Sequence, residues 1–283
     1  MVTIAVISVS LIVAFYFVLN NSSPYQSFVG KTVSPSDLAK LTGVSDSTLV
    51  SIGRPSNVLA PNTISGTPLT SGGKPMVLYI GGDYCPYCAA ERWSLIIALS
   101  RFGTFSNLTY MLSSSTDVLP NTPTFSFQSA SYASSYIAFV GVEEFGQDPS
   151  VVRQPLTTQQ QSLLSQYDTC PTTKSSGGIP FVDIANSYAI NCGAQSNIDI
   201  SGANWTSILN QLNTPTGNTA RLIDGAANTI ITAICNVDGH KPSSVCSQSF
   251  ATLPLSFTQG ASVGSQTALL VAPAVRMGPD WPS

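Results

Sequence analysis

The stretch Lys74 to Gly103, KPMVLYIGGDYCPYCAAERWSLIIALSRFG, decides the fold. Met76 to Ile80 is an apolar run bounded by Pro75 and by Gly81-Gly82, the pattern of an interior strand. Cys85-Pro86-Tyr87-Cys88 follows as a short turn, and a helix starts within it. Trp93, Leu95, Ile96, Ile97, Leu99 and Phe102 make that helix too apolar for a surface position, so it belongs under a sheet. Arg101 in its last turn and Gly103 just beyond supply a stop. Pro86 suits the first helical turn, where its missing N–H costs nothing. Cys85 then falls at the helix N-terminus, where unpaired N–H groups and the helix dipole favour a thiolate. Cys88, three residues on, is within reach for a disulfide with it.

C-x-x-C is also a zinc spacing, but a structural zinc site needs about four ligands. The only histidine is His240, in a polar loop where a solvated ring is expected, and there is no second C-x-x-C. The expectation is a redox dithiol, with no metal and no cofactor.

Strand, C-P-Y-C and helix together resemble the active-site unit of the thioredoxin superfamily, C-P-Y-C itself being the glutaredoxin version. Gly178-Ile179-Pro180-Phe181 resembles that superfamily's second anchor, a hydrophobic residue and a cis-proline opening a strand that faces the two cysteines. The resemblance implies catalytic roles for Cys85, Cys88 and Pro180, and a substrate-facing surface of Tyr84, Pro86, Tyr87 and Ile179. Tyr84 departs from it, since many thioredoxins carry Trp before the first cysteine. Over roughly Ser34 to Cys246 the arrangement also resembles a membrane-anchored, extracytoplasmic thioredoxin-like family of thermoacidophilic archaea, which brings no known substrate.

Working outward, Val2 to Leu19 is apolar and uncharged, just long enough to span a bilayer as a helix. It reads as a membrane anchor, with a cleaved signal or a pilin-like assembly helix as alternatives; each exports the remainder. Residues 20–73 read as a polar linker and extension with a short helix from Ser36 to Gly43, a strand or turn at Leu49 to Ile52, and loop from Arg54. The thioredoxin-like domain is expected over 74–246, an α/β fold with a mixed sheet flanked by helices. Leu108 to Leu112 is expected as the strand parallel to the first. Residues 113–155 are expected as an insertion in which Thr124 to Gln128 and Tyr136 to Glu144 form a β-hairpin or an extension of the sheet, Glu143 and Glu144 lying at a solvated strand end. Leu156 to Tyr167 reads as a helix, Tyr188 to Cys192 as the hairpin partner of the Phe181 strand, Trp205 to Leu212 as a short helix, and Thr219 to Cys235 as the closing helix. Residues 247–283 form a C-terminal extension whose apolar Thr267 to Val275 has no assigned role.

Six cysteines allow three disulfides. Sequence proximity and topology favour Cys85–Cys88, Cys170–Cys192 and Cys235–Cys246, with some free buried thiols as the alternative. Charged residues are 9% of the 283, against about 25% in ordinary soluble proteins. With a net charge of −3 there is no nucleic-acid footprint. Four sequons, at Asn20, Asn21, Asn107 and Asn204, fit an exported glycoprotein. The functional expectation is an extracytoplasmic thiol–disulfide oxidoreductase acting on protein thiols or disulfides. No base is obvious near the site; Asp83 and Glu91 are the candidates, against which a carboxylate beside Cys85 would raise its pKa. The alternative is a non-catalytic surface or filament-associated subunit, with assembly partners and six structural cysteines.

Overall fold

The computed structural model describes residues 26–170, 178–194 and 199–255. The apolar N-terminal run, Asn20, Asn21 and the Thr267 to Val275 stretch lie outside them. Among the described residues no helix is long and apolar enough to cross a membrane.

The chain opens with a 3-10 turn at Gln26–Phe28 and two short helices, α1 (Pro35–Thr42) and α2 (Asp46–Ile52). Ser34 and Ser45 cap them, each accepting a backbone N–H from three residues on. β1 (Asn62–Thr63), β2 (Thr70–Ser71) and β3 (Lys74–Gly82) follow, then α3 (Pro86–Leu99). Four short strands come next: β4 (Gly103–Ser106), β5 (Thr109–Leu112), β6 (Pro123–Ser126) and β7 (Ser131–Ser134). β8 (Ala138–Phe145), α4 (Thr158–Tyr167), β9 (Phe181–Ile184) and β10 (Tyr188–Asn191) complete the sheet. α5 (Trp205–Gln211), α6 (Asn218–Val237), the single turn α7 (Ser243–Cys246) and a 3-10 turn at Ser249–Ala251 close the described chain.

β3 is the axis of a mixed sheet. It pairs with β8 in parallel, Met76 opposite Ala138, and with β9 antiparallel, Val77 opposite Ile184. β10 and then β1 extend the sheet beyond β9, while β2 forms a hairpin with the start of β3. The two-residue alternation of strands divides the core into layers. Val77, Tyr79, Val182, Ile184 and Ile190 share one cluster with the apolar residues of α3 and α6. Leu78, Ile80, Val142, Phe181 and Ala189 form the other cluster with Leu163 of α4. α4 starts with a capping box, Thr157 and Gln160 each bonding the other's backbone N–H.

Several expectations change. β5 is not the parallel neighbour of β3; it pairs with β6 in a separate ribbon, and β4 pairs with β7 in another. The hairpin expected over Thr124 to Glu144 is therefore divided, and the alternative, an extension of the sheet, holds for its second half: β8 is the long strand beside β3. An apolar run of four residues can serve either role; β8 wins because its eight residues match the length of β3. The ribbons attach to α3 through polar atoms: Trp93 Nε1 donates to Pro123 O of β6 at 2.8 Å, Thr124 Oγ1 of β6 donates to Ala89 O at 2.7 Å, and Tyr132 Oη of β7 donates to Leu99 O at 2.8 Å. Residues 20–73 are not a linker where described. Leu41, Val44, Leu49 and Val58 are buried in the main core. Leu49 to Ile52 lies in a helix rather than a strand, and Asn228 Nδ2 of α6 ties that helix down by donating to Leu49 O and Gly53 O. The body also continues past Cys246, since Phe250 and Ala251 are buried against α6.

Glu143 is the largest departure. It is fully buried and bonded to the equally buried Arg92 of α3, not solvated. Arg92 Nη2 donates to Glu143 Oε2 at 2.5 Å and Nε donates to Oε1 at 3.0 Å, a bidentate pair. Nη2 also donates to Gly82 O at 3.0 Å, Phe127 N–H donates to Glu143 Oε1, and the guanidinium lies over the Tyr79 ring. Burial works against the Arg92 charge, but Glu143, together with Tyr79 and Cys88, holds the guanidinium protonated. Removing one partner strands the other's charge in the core, so Arg92→Met is expected to cost about 3–5 kcal/mol. The Arg92→Met/Glu143→Leu double variant is expected to recover most of that loss, as measured by denaturant unfolding.

Candidate active site

Cys85 is the N-cap residue of α3, and Pro86 is the first residue of the helix. The Cys88 N–H donates to Cys85 Sγ at 3.2 Å, a bond that a thiolate accepts more strongly than a thiol. Cys85 Sγ in turn donates to Ile179 O at 3.7 Å. The Ile179–Pro180 peptide is cis, as expected from the sequence. Strand pairing explains the meeting: β9, which begins just after Pro180, lies beside β3, which ends just before Cys85.

Cys85 and Cys88 stand as two thiols, so the expected Cys85–Cys88 bond is not formed in this structure. The other two expected pairs, Cys170–Cys192 and Cys235–Cys246, are formed. Cys85 is 4% exposed and Cys88 is fully buried. Burial pushes the Cys88 thiol well above its ordinary value, the neighbouring Cys85 sulfur adds to this, and Arg92 opposes it.

The remaining site residues frame Cys85. Tyr84 is half-buried, its ring edge-on to Phe145 and touching the space above Gly82 together with Ile179. Its backbone is held on both sides, N–H donating to Gly146 O and C=O accepting from Ser114 N–H. Burial raises the hydroxyls of both Tyr84 and Tyr87 above the ordinary phenol value. Pro180 is buried, and its carbonyl accepts the Cys192 N–H at 2.9 Å. Of the two sequon asparagines described, Asn107 is exposed and Asn204 caps α5, its side-chain oxygen accepting the Ser207 N–H. His240 is exposed, as expected. Among the described residues no group of three or more His, Cys, Asp or Glu is placed to hold a metal ion.

The structure brings in charged groups whose roles the sequence left open. Asp83 is buried, paired with Arg153, and burial raises its carboxyl. Glu91 lies one turn beyond Cys88 and is buried; its Oε2 accepts the Ala194 N–H at 2.9 Å, while Oε1 has no partner. Burial raises the Glu91 carboxyl to about 7, the Ala194 bond opposing the shift. Sequence reasoning missed Arg92 as a partner of the site. The signal was a charged pair, Glu91-Arg92, inside an otherwise apolar helix.

With the geometry in view, residues 60–236 match the family described as Domain of unknown function (DUF929). The chain belongs to that family. No curated protein and no solved structure matches it. The family span takes in β1 to β10 and α3, with both thiols and the Ile179–Pro180 turn, and leaves out α1 and α2.

Glu91 gives this site a stability signature. Its carboxyl moves from an ordinary 4.5 to about 7 on folding, so the fold favours the protonated form. That contribution is complete below about pH 4.5 and is lost as pH rises to about 7, a swing of up to about 3 kcal/mol. Asp183, raised to about 6 by burial, acts in the same direction. Urea unfolding is expected to show greater stability at pH 4.5 than at pH 7, and Glu91→Gln is expected to reduce the difference.

Proposed function

We propose that this chain is a thiol–disulfide oxidoreductase with a thioredoxin-like fold, acting outside the cytoplasm on protein thiols and disulfides. The observation that carries the reading is the meeting of Cys85 at a helix N-cap, Cys88 three residues on, and the Ile179 carbonyl before a cis-proline. The strand order β8-β3-β9-β10, with α3 leaving β3 and α6 packed beneath, supports the thioredoxin-like assignment. Two disulfides in so small a body favour an oxidising compartment. The proposed N-terminal anchor rests on the apolar run Val2 to Leu19.

In the reducing direction, Cys85 gives its proton to solvent, and its thiolate attacks one sulfur of a substrate disulfide. The Cys85–substrate bond forms, the substrate bond breaks, and the first substrate sulfur leaves as a thiolate that takes a proton from solvent. Cys88 then loses its proton and attacks Cys85 Sγ, expelling the second substrate thiolate and leaving a Cys85–Cys88 disulfide. Two electrons pass from the dithiol to the substrate, and the reverse sequence oxidises substrate thiols. The proton on Cys88 is the difficult one, because the thiol is buried. Glu91, on the same helix face and with a free carboxyl oxygen, is the group we assign to accept it. In this reading an extended substrate segment would lie along Ile179, near the half-buried Tyr84 and Tyr87 and the buried Pro86.

The low exposure of Cys85 favours a second reading, a non-catalytic surface subunit with assembly partners and a buried structural dithiol. Alkylation separates the two. The oxidoreductase is expected to be modified at Cys85 before Cys88 in the native state, and to form Cys85–Cys88 reversibly in glutathione buffers. Cys88→Ser is expected to accumulate mixed disulfides with substrate, and Cys85→Ser to abolish turnover of a disulfide substrate. A native protein in which Cys85 resists alkylation, and in which Cys85→Ser alters stability alone, belongs to the second reading.

A further inference from the structure

A second pair of sulfurs lies against the same turn. A side chain at Gly178 would meet Cys192 Sγ at 2.6 Å and Cys170 Sγ at 3.0 Å, so the Cys170–Cys192 disulfide packs directly on the Gly178 backbone. The next residue is Ile179, whose carbonyl faces Cys85 Sγ. The residue after that is Pro180, whose carbonyl takes the Cys192 N–H. Beyond Cys192, Gly193 lies near Pro180 and Glu91, and the Ala194 N–H holds Glu91 Oε2. One disulfide therefore braces the Ile179 carbonyl, the cis-proline and the buried carboxyl together.

We propose that Cys170–Cys192 is a redox-controlled positioning element for Cys85, an inference that rests on the oxidoreductase reading above. Bonded sulfurs stand about 2.05 Å apart, whereas non-bonded heavy atoms need about 3.5–4.0 Å. Opening the bond therefore demands more than an ångström of extra separation. On the Gly178 side the sulfurs already stand where a side chain would, so a widened pair presses on the Gly178 backbone. Displacing Gly178 carries Ile179 with it; displacing Cys192 instead carries Gly193 and the Ala194 donor. Either route changes what surrounds Cys85 and Cys88. Cys192 is half-buried and Cys170 is buried, so a dithiol reductant reaches Cys192 first. The reductant's thiolate bonds to Cys192 Sγ, the Cys170–Cys192 bond breaks, and Cys170 leaves as a thiolate and takes a proton. The reductant's second thiol then displaces Cys192, leaving two chain thiols and an oxidised reductant. The other disulfide, Cys235–Cys246, joins α6 to α7.

The test uses the full chain and reads the Cys85 alkylation rate across pH, by mass spectrometry, with the Cys85–Cys88 equilibrium in glutathione buffers. In Cys170→Ala/Cys192→Ala the rate at fixed pH is expected to change at least threefold. The equilibrium constant is expected to shift about tenfold, which is about 30 mV. Gly178→Ala keeps all six cysteines and presses a methyl group on the sulfurs, so it is expected to perturb the same two readouts and serves if the double variant does not fold. A folded double variant that matches the parent in both readouts overturns the inference, and so does an unperturbed Gly178→Ala if only that variant folds. If Cys85 reacts readily in the parent and unchanged in the variants, only the brace fails. If Cys85 is unreactive in the parent as well, the oxidoreductase reading fails with it.

Discussion

The structure turns on the Arg92–Glu143 pair. It joins the helix that carries the dithiol to β8, the strand parallel to β3, and Arg92 reaches the last residue of β3 through Gly82 O. Gly82 O also accepts the Cys85 N–H, so one buried charge pair and one carbonyl set where the C-P-Y-C turn begins. A buried pair of this kind returns little net stability, because desolvating two charges offsets most of their attraction. Its contribution here is one of register. Glu143 takes three N–H donors, from Arg92 Nε, Arg92 Nη2 and the Phe127 backbone, and a slip of one residue along β8 would turn it toward the opposite face.

Around that pair the site is built from backbone as much as from side chains. The N-cap position offers Cys85 the Cys88 N–H, and the cis turn offers it the Ile179 carbonyl. Asp83, with Arg153, closes the side toward β8, and Glu91 closes the side toward Ala194. The carboxyls of Asp83, Glu91 and Asp183 are all raised, and in each case burial is the leading cause. Glu91 and Asp183, raised to about 7 and about 6, cost less to keep inside in mildly acid solution, where they are protonated.

The fold was legible where local pattern and chain order coincide. The Met76 to Ile80 run, the C-P-Y-C helix, the Ile179–Pro180 turn, the β9–β10 hairpin and the two outer disulfides all depend on neighbours close in sequence, or on a motif with its own geometry. β8 was not legible as the strand beside β3. It lies more than fifty residues from β3, and four other short strands of similar composition intervene. Glu143 was misjudged for the same reason. A carboxylate at the end of an apolar run is ordinarily solvated, and only a cation on a distant helix makes its burial tolerable. The polar composition of residues 20–73 hid the few leucines and valines that anchor α1 and α2 in the core.

By itself, then, the sequence determined the dithiol on a helix start, because that follows from residue type and spacing over a few positions; that Pro180 faces it was implied by the resemblance to the thioredoxin superfamily. Tertiary structure alone decided which strand runs beside β3, that Arg92 and Glu143 neutralise each other, and that Cys170–Cys192 rests on Gly178 next to the carbonyl facing Cys85. Those relations are set by which long loops close and which faces stack. Residues far apart in sequence meet only after the sheet has formed, and no local pattern records their meeting.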